Sequence, residues 1–180
     1  IRMAVDCSLE QMDQADLVVV PTIGGKIETV LAQEQDALPW LRFLHQGGAD
    51  LASNCTGAFL LAEAGLLDDK TATTHWGFSQ EFRHRYPQVN LNERELITRD
   101  GNIFCAGGGT AWRDLTILLV ERFCGADLAR ELARAFVIDV RNDLQSIYAG
   151  LPAHTYHQDD QVQAIQGWIH EHYKENTSLG

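Results

Sequence analysis

The chain predicts an α/β fold with a mostly parallel sheet, and three observations carry that reading. Residues 16–21, Asp-Leu-Val-Val-Val-Pro, are a continuous β-branched run without alternation, the pattern of a strand covered on both faces by helices. Residues 50–54 form a second short strand, and residues 36–46 between the two have helical spacing. The strand, helix, strand, helix order that results is that of a parallel α/β sheet.

Composition sets the bounds. With 180 residues and 45% hydrophobic content, the chain can bury one core and a small appendage. It has no run of about 18 apolar residues, so no membrane partner or span is expected. The formal charge of −11 opposes electrostatic binding of nucleic acid by these residues. Cys7, Cys55, Cys105 and Cys124 lack CxxC or finger spacing, which predicts reduced thiols, a cytoplasmic location and no metal site.

In chain order, Ile1, Arg2, Met3, Ala4 and Val5 read as a short strand, and residues 8–14 as a polar turn or short helix. The strand at 16–21 is followed by Gly24 and Gly25 at its carboxyl edge. In the helix at 36–46, Leu38, Leu41 and Leu44 recur at helical spacing and Gly47-Gly48 end it. The strand at 50–54 runs into Cys55, then a small-residue turn, then a helix carrying Phe59, Leu60 and Leu61 that Gly65 is placed to cap. A thiol at such an elbow needs small neighbours, here Ser53 and Gly57, and lies where a helix N-terminus favours thiolate.

Residues 71–75 read as a strand ending at His75, and residues 78–86 as a helix closed by Pro87. Three brief strands follow at 89–91, 96–98 and 103–106, the last two joined by a hairpin turn around Gly101. Gly107, Gly108 and Gly109 open a helix over 110–123 that is apolar nearly all round, so the sheet covers one side and another surface, such as a partner subunit, the other. A second, charge-alternating helix spans 126–137. Residues 140–158 read as a linker. In residues 159–180, Val162, Ile165, Trp168, Ile169 and Tyr173 form one amphipathic stripe that cannot bury its own apolar face. His170 and His172 are two apart on that helix and share no face, which argues against a metal pair.

Ligands of α/β sheets bind beyond the carboxyl ends of the strands. Gly24, Gly25, Cys55, Thr56 and His75 are therefore the candidate ligand-binding residues. Thr56 would offer its backbone N–H, with Gly24 or Gly25 as a second donor, to an anion or carbonyl. Cys55 and His75 are also the only candidates for a catalytic pair, and no catalytic role is assigned to them. The remaining cysteines read as core or surface residues.

Residues 54–62 (Asn-Cys-Thr-Gly-Ala-Phe-Leu-Leu-Ala), 64–68 (Ala-Gly-Leu-Leu-Asp) and 72–76 (Ala-Thr-Thr-His-Trp) resemble the sensor domain of a subset of AraC-type transcription regulators. That sensor belongs to the PfpI-like superfamily of class I glutamine amidotransferase-like domains. The resemblance implies a three-layer α/β/α sandwich, flavodoxin-like, over residues 1–139. It implies the first helix of a helix-turn-helix module over 159–180. It also implies a strand upstream of Ile1 that supplies an acidic residue hydrogen-bonded to the thiol, and a homodimer. The function implied is effector sensing in a DNA-binding regulator: a small metabolite, amine or amino-acid-like, binds at the cysteine elbow, and the C-terminal domain of the full-length protein contacts DNA. No cofactor is implied. Similar domains include isonitrile hydratases, which share the Cys-Thr pair, so a cysteine enzyme is the main alternative. A cysteine redox sensor is another. Intracellular peptidases fit less well, because that branch has histidine directly after the cysteine and this chain has Thr56.

Overall fold

The computed structural model of the chain describes residues 4–138, together with Ile165, Trp168 and His172. The linker expected at 140–158 and most of the helix expected at 159–180 lie outside these residues. The chain divides into two compact units, Ile1–Ile147 and Tyr148–Gly180.

The first unit is organised by a four-stranded sheet in the order β1-β2-β6-β5. Strands β1 (Leu17–Val20), β2 (Asp50–Asn54) and β6 (Ile103–Ala106) run parallel, and β5 (Ile97–Asp100) returns antiparallel to β6. The turn between β5 and β6 holds Gly101 at φ +61°, a conformation that costs glycine nothing. One face buries Val18, Val20, Leu51, Ile103 and Cys105 under helices α1 (Ile27–Gln33), α2 (Ala37–Gln46), α3 (Ala58–Glu63) and α4 (Ser79–Arg85). The other buries Ala52, Phe104 and Ala106 under α5 (Ala111–Cys124). Three layers result, as expected. Side chains of each strand alternate between the two cores because strand Cβ atoms alternate in direction.

Several elements differ from the sequence reading. Ala4 and Val5 form no strand, and Val5 is exposed. Strand β1 is not covered on both faces: Val19 is 53% exposed, because β1 is a sheet edge and α5 does not reach over it. A groove of about 800 Å³ runs beside it, lined by Leu17, Val19, Trp112, Leu119 and Phe123. Helix α1 is an addition that its seven residues were too few to signal by periodicity. The second face of α5 is covered within the chain by α6 (Ala126–Ala135), where Ile117 packs against Ala129 and Ala133. Trp112 and Phe123 remain exposed. Arg122, near the end of α5, makes a bidentate pair with the buried Asp50 carboxylate and ties that helix to the start of β2.

The strand expected to end at His75 is shorter. Strand β3 (Thr71–Ala72) stops three residues earlier and pairs with β4 (Asn90–Leu91) in a separate two-stranded sheet. Thr73 and Thr74 turn inward instead of continuing the ladder, and both are fully buried. In the second unit, Ile165, Trp168 and His172 are helical, and the rings of Trp168 and His172 stack at 4.7 Å.

Candidate functional site

Because β1, β2 and β6 are parallel, their carboxyl ends deliver residues 21–25, Cys55 and residues 107–109 to one edge of the sheet. Cys55 directly follows β2 and opens a 3-10 turn, Cys55–Gly57, that leads into α3. Its φ is +56°, a left-handed conformation that costs a non-glycine residue roughly 1–2 kcal/mol. Such a conformation persists only where the surroundings over-determine it.

Three contacts do so. The Thr74 hydroxyl donates to the Cys55 carbonyl at 2.9 Å in a buried bond. The Thr56 hydroxyl accepts from the Ile23 N–H at 3.1 Å and donates to the Ile23 carbonyl at 2.8 Å, clamping the loop after β1 onto the elbow. Gly57 lies so close to the end of β1 that a Cβ there would sit 2.6 Å from the Val20 carbonyl oxygen and 2.5 Å from that of Pro21. The need for glycine is therefore a backbone approach between β1 and the turn. The Cys55 side chain itself is buried.

Of the two glycines in the β1 loop, Gly25 has φ +82° and requires glycine on that ground. At Gly24 a Cβ would meet nothing within 4 Å, and both residues are exposed. Thr56 was expected to contribute its backbone N–H to a ligand. Its side chain has a separate structural task, holding the loop in which those glycines lie.

His75 caps a 3-10 turn, Trp76–Phe78, by accepting the Gly77 N–H at Nδ1 over 3.0 Å. An acceptor at Nδ1 is unprotonated, so the neutral ring carries its hydrogen on Nε2. Trp76 stacks on the ring at a centroid distance of 5.2 Å and Phe78 meets it edge-on at 5.8 Å. On another side the ring lies against Gly108: a Cβ there would be 2.0 Å from His75 Cδ2. Burial lowers the His75 pKa below its ordinary value.

No hydrogen bond joins the Cys55 thiol to His75 among the described residues, and Nδ1 is already engaged. With Nδ1 turned to Gly77, only Nε2 of His75 is open to other partners. The arrangement provides a buried thiol, an Nε2–H donor and an exposed indole face at Trp76, which is 40% accessible.

The lowered pKa has a consequence for stability. The fold favours neutral His75, so as pH falls the unfolded chain binds the proton first, starting near the ordinary imidazole value of about 6.5. Stability from this group is complete above that pH and is lost as pH falls toward the folded value. His75→Gln should flatten the decline in unfolding free energy between about pH 7 and pH 5 relative to wild type, measured by urea titration.

Thr74 and Gly108 were not anticipated as site residues. Thr74 lies inside the 72–76 motif and Gly108 inside the 107–109 glycine run, but their roles depend on contacts to Cys55 and His75 that no local spacing reports.

A cysteine in left-handed conformation at a strand-to-helix elbow, on the carboxyl edge of a parallel sheet between helical layers, defines a class of α/β domain. The chain belongs to the DJ-1/PfpI family, which residues 1–122 match. It is 37% identical over 133 residues to the HTH-type transcriptional regulator CdhR of Pseudomonas aeruginosa, covering 74% of this chain and 38% of that protein. It is 32% identical over 130 residues to isonitrile hydratase of Pseudomonas putida, covering 72% of this chain and 55% of that enzyme. The structure of an AraC family transcriptional regulator from Pseudomonas putida superposes with a TM-score of 0.58 at 23% identity, covering 75% of this chain and 70% of that one, and so shares the fold. The chain thus spans about half the length, or less, of these two curated relatives.

Proposed function

We propose that this chain is the effector-sensing domain of an AraC-type DNA-binding transcription regulator. The observation that supports it most is its 37% identity to a protein described as an HTH-type transcriptional regulator. The effector is a small metabolite with amine or amino-acid character, held at the sheet edge by Cys55, Thr56, His75 and the loop of Gly24 and Gly25. The His75 Nε2–H and the adjoining Trp76 face support this class, because they pair a hydrogen-bond donor with an aromatic surface that attracts cationic groups.

The sensor domain occupies residues 1–139, a linker residues 140–158, and the first helix of the DNA-binding module residues 159–180. Ile165 and Trp168 are helical and about half exposed, at 58% and 49%, as apolar positions awaiting the rest of a helical module are. An upstream acidic strand pairs with the free edge of β1, and the exposure of Val19 beside an apolar groove supports that placement. The regulator acts as a cytoplasmic homodimer. No helix among the described residues is long and apolar enough to cross a membrane.

A cysteine hydratase is the second reading, favoured by the similarity to isonitrile hydratase. Against it stands the engagement of His75 Nδ1 by Gly77, which removes one nitrogen from use as a base. A gel-shift titration separates the partners. The full-length protein should bind its operator in an effector-dependent way, whereas this chain, with net charge −11, should give no specific, salt-sensitive shift. A specific shift by this chain would contradict the assignment of DNA binding to the C-terminal domain.

A further inference from the structure

We propose that Thr74 is a positioning residue that latches the cysteine elbow to the His75 turn. The Cys55 carbonyl belongs to a residue at φ +56°, where peptide conformation is costly and does not hold itself. The Thr74 hydroxyl reaches that carbonyl at 2.9 Å, and Thr74 is 0% exposed.

Thr74 is itself fixed in place. Its neighbour Thr73 donates through its hydroxyl to the Glu95 carbonyl at 3.0 Å, anchoring the segment beside β5. The following residue is His75, whose ring is pinned by Gly77 and Gly108. The Thr74 bond therefore makes the elbow and the His75 turn one unit, although β3 has already left the main sheet. Without that bond the carbonyl at the elbow loses a buried donor, and the elbow opens more often while the sheet stays folded.

The chain carries its own reporters. Cys55 is buried at the elbow, and Cys105 is 1% exposed in the middle of the sheet on β6. Alkylation of each by iodoacetamide, resolved by mass spectrometry, reads local opening at the first and global opening at the second. Thr74→Val is nearly isosteric and removes the donor. It should raise the ratio of Cys55 to Cys105 alkylation rates about tenfold, the effect of one buried hydrogen bond. Thr74→Ser restores the hydroxyl and should bring the ratio back to within about twofold of wild type. A general loss of stability would accelerate Cys105 at least as much as Cys55 and leave the ratio unmoved or lower. That outcome, or an unchanged Cys55 rate in Thr74→Val, would overturn the proposal. If Thr74→Val does not fold, the wild-type chain decides: local opening requires Cys55 alkylation to depend less steeply on urea than that of Cys105. Equal slopes would overturn it.

Discussion

Gly57→Ala is expected to destabilise the domain by about 3 kcal/mol and to lower Tm by roughly 6–12 °C, the usual conversion for a chain of this size. A Cβ at Gly57 would lie 2.5 Å from the Pro21 carbonyl oxygen and 2.6 Å from that of Val20, well inside van der Waals contact. Both obstacles are backbone, so no side-chain rotation relieves the clash. Either the turn after Cys55 or the end of β1 must move. Either movement strains the Thr56 clamp on Ile23, which holds the same two segments together. Gly24→Ala is the matched control, because a Cβ there meets nothing within 4 Å. Its stability should stay within about 0.5 kcal/mol of wild type. Thermal unfolding of the two variants side by side checks both statements, and an unperturbed Gly57→Ala would mean that the elbow is more adaptable than this packing allows.

Gly108→Ala should act on the site more than on the fold. The added methyl would overlap His75 Cδ2 at 2.0 Å, but that obstacle is a side chain, and the ring can swing away. Doing so breaks the bond from the Gly77 N–H to Nδ1 and carries the imidazole toward solvent. His75 should then titrate closer to its ordinary value, since the burial that lowers its pKa is gone. An NMR titration of the imidazole resonances reads the change directly. Effector affinity should fall at least about tenfold, the worth of one charge-assisted or buried hydrogen bond. A His75 resonance with unaltered titration would show that the ring tolerates the methyl in place.

The layers of the fold were legible because the signals that define them are local. The Val18-Val19-Val20 run, the Leu38, Leu41 and Leu44 spacing and the Gly101 turn each predict an element that exists. The edge position of β1 was not legible, since the same β-branched run serves a strand with two covered faces or one. Nor was the early end of β3. Thr71 to Thr74 are good strand residues in composition, but hydrogen bonds from Thr73 to Glu95 and from Thr74 to Cys55 divert the chain from the sheet. Tertiary contacts override propensity there.

At the site, the residue types were readable and their tasks were not. The small residues around Cys55 signalled an elbow, yet the left-handed φ at Cys55 is a property of the assembled backbone. Gly108 looked like one of three helix-opening glycines and instead makes room for His75. His75 looked like a partner for a thiol, but its Nδ1 caps a turn two residues on. Each of these roles depends on a contact that neither periodicity nor motif spacing encodes.

Calorimetry with small amines and amino acids, on the wild-type chain and on Cys55→Ser and His75→Ala, tests the central claim most directly. A compound that binds the wild-type chain and loses its heat of binding in both variants is the predicted result. A compound that binds all three equally well would place the effector pocket away from the cysteine elbow and contradict the account.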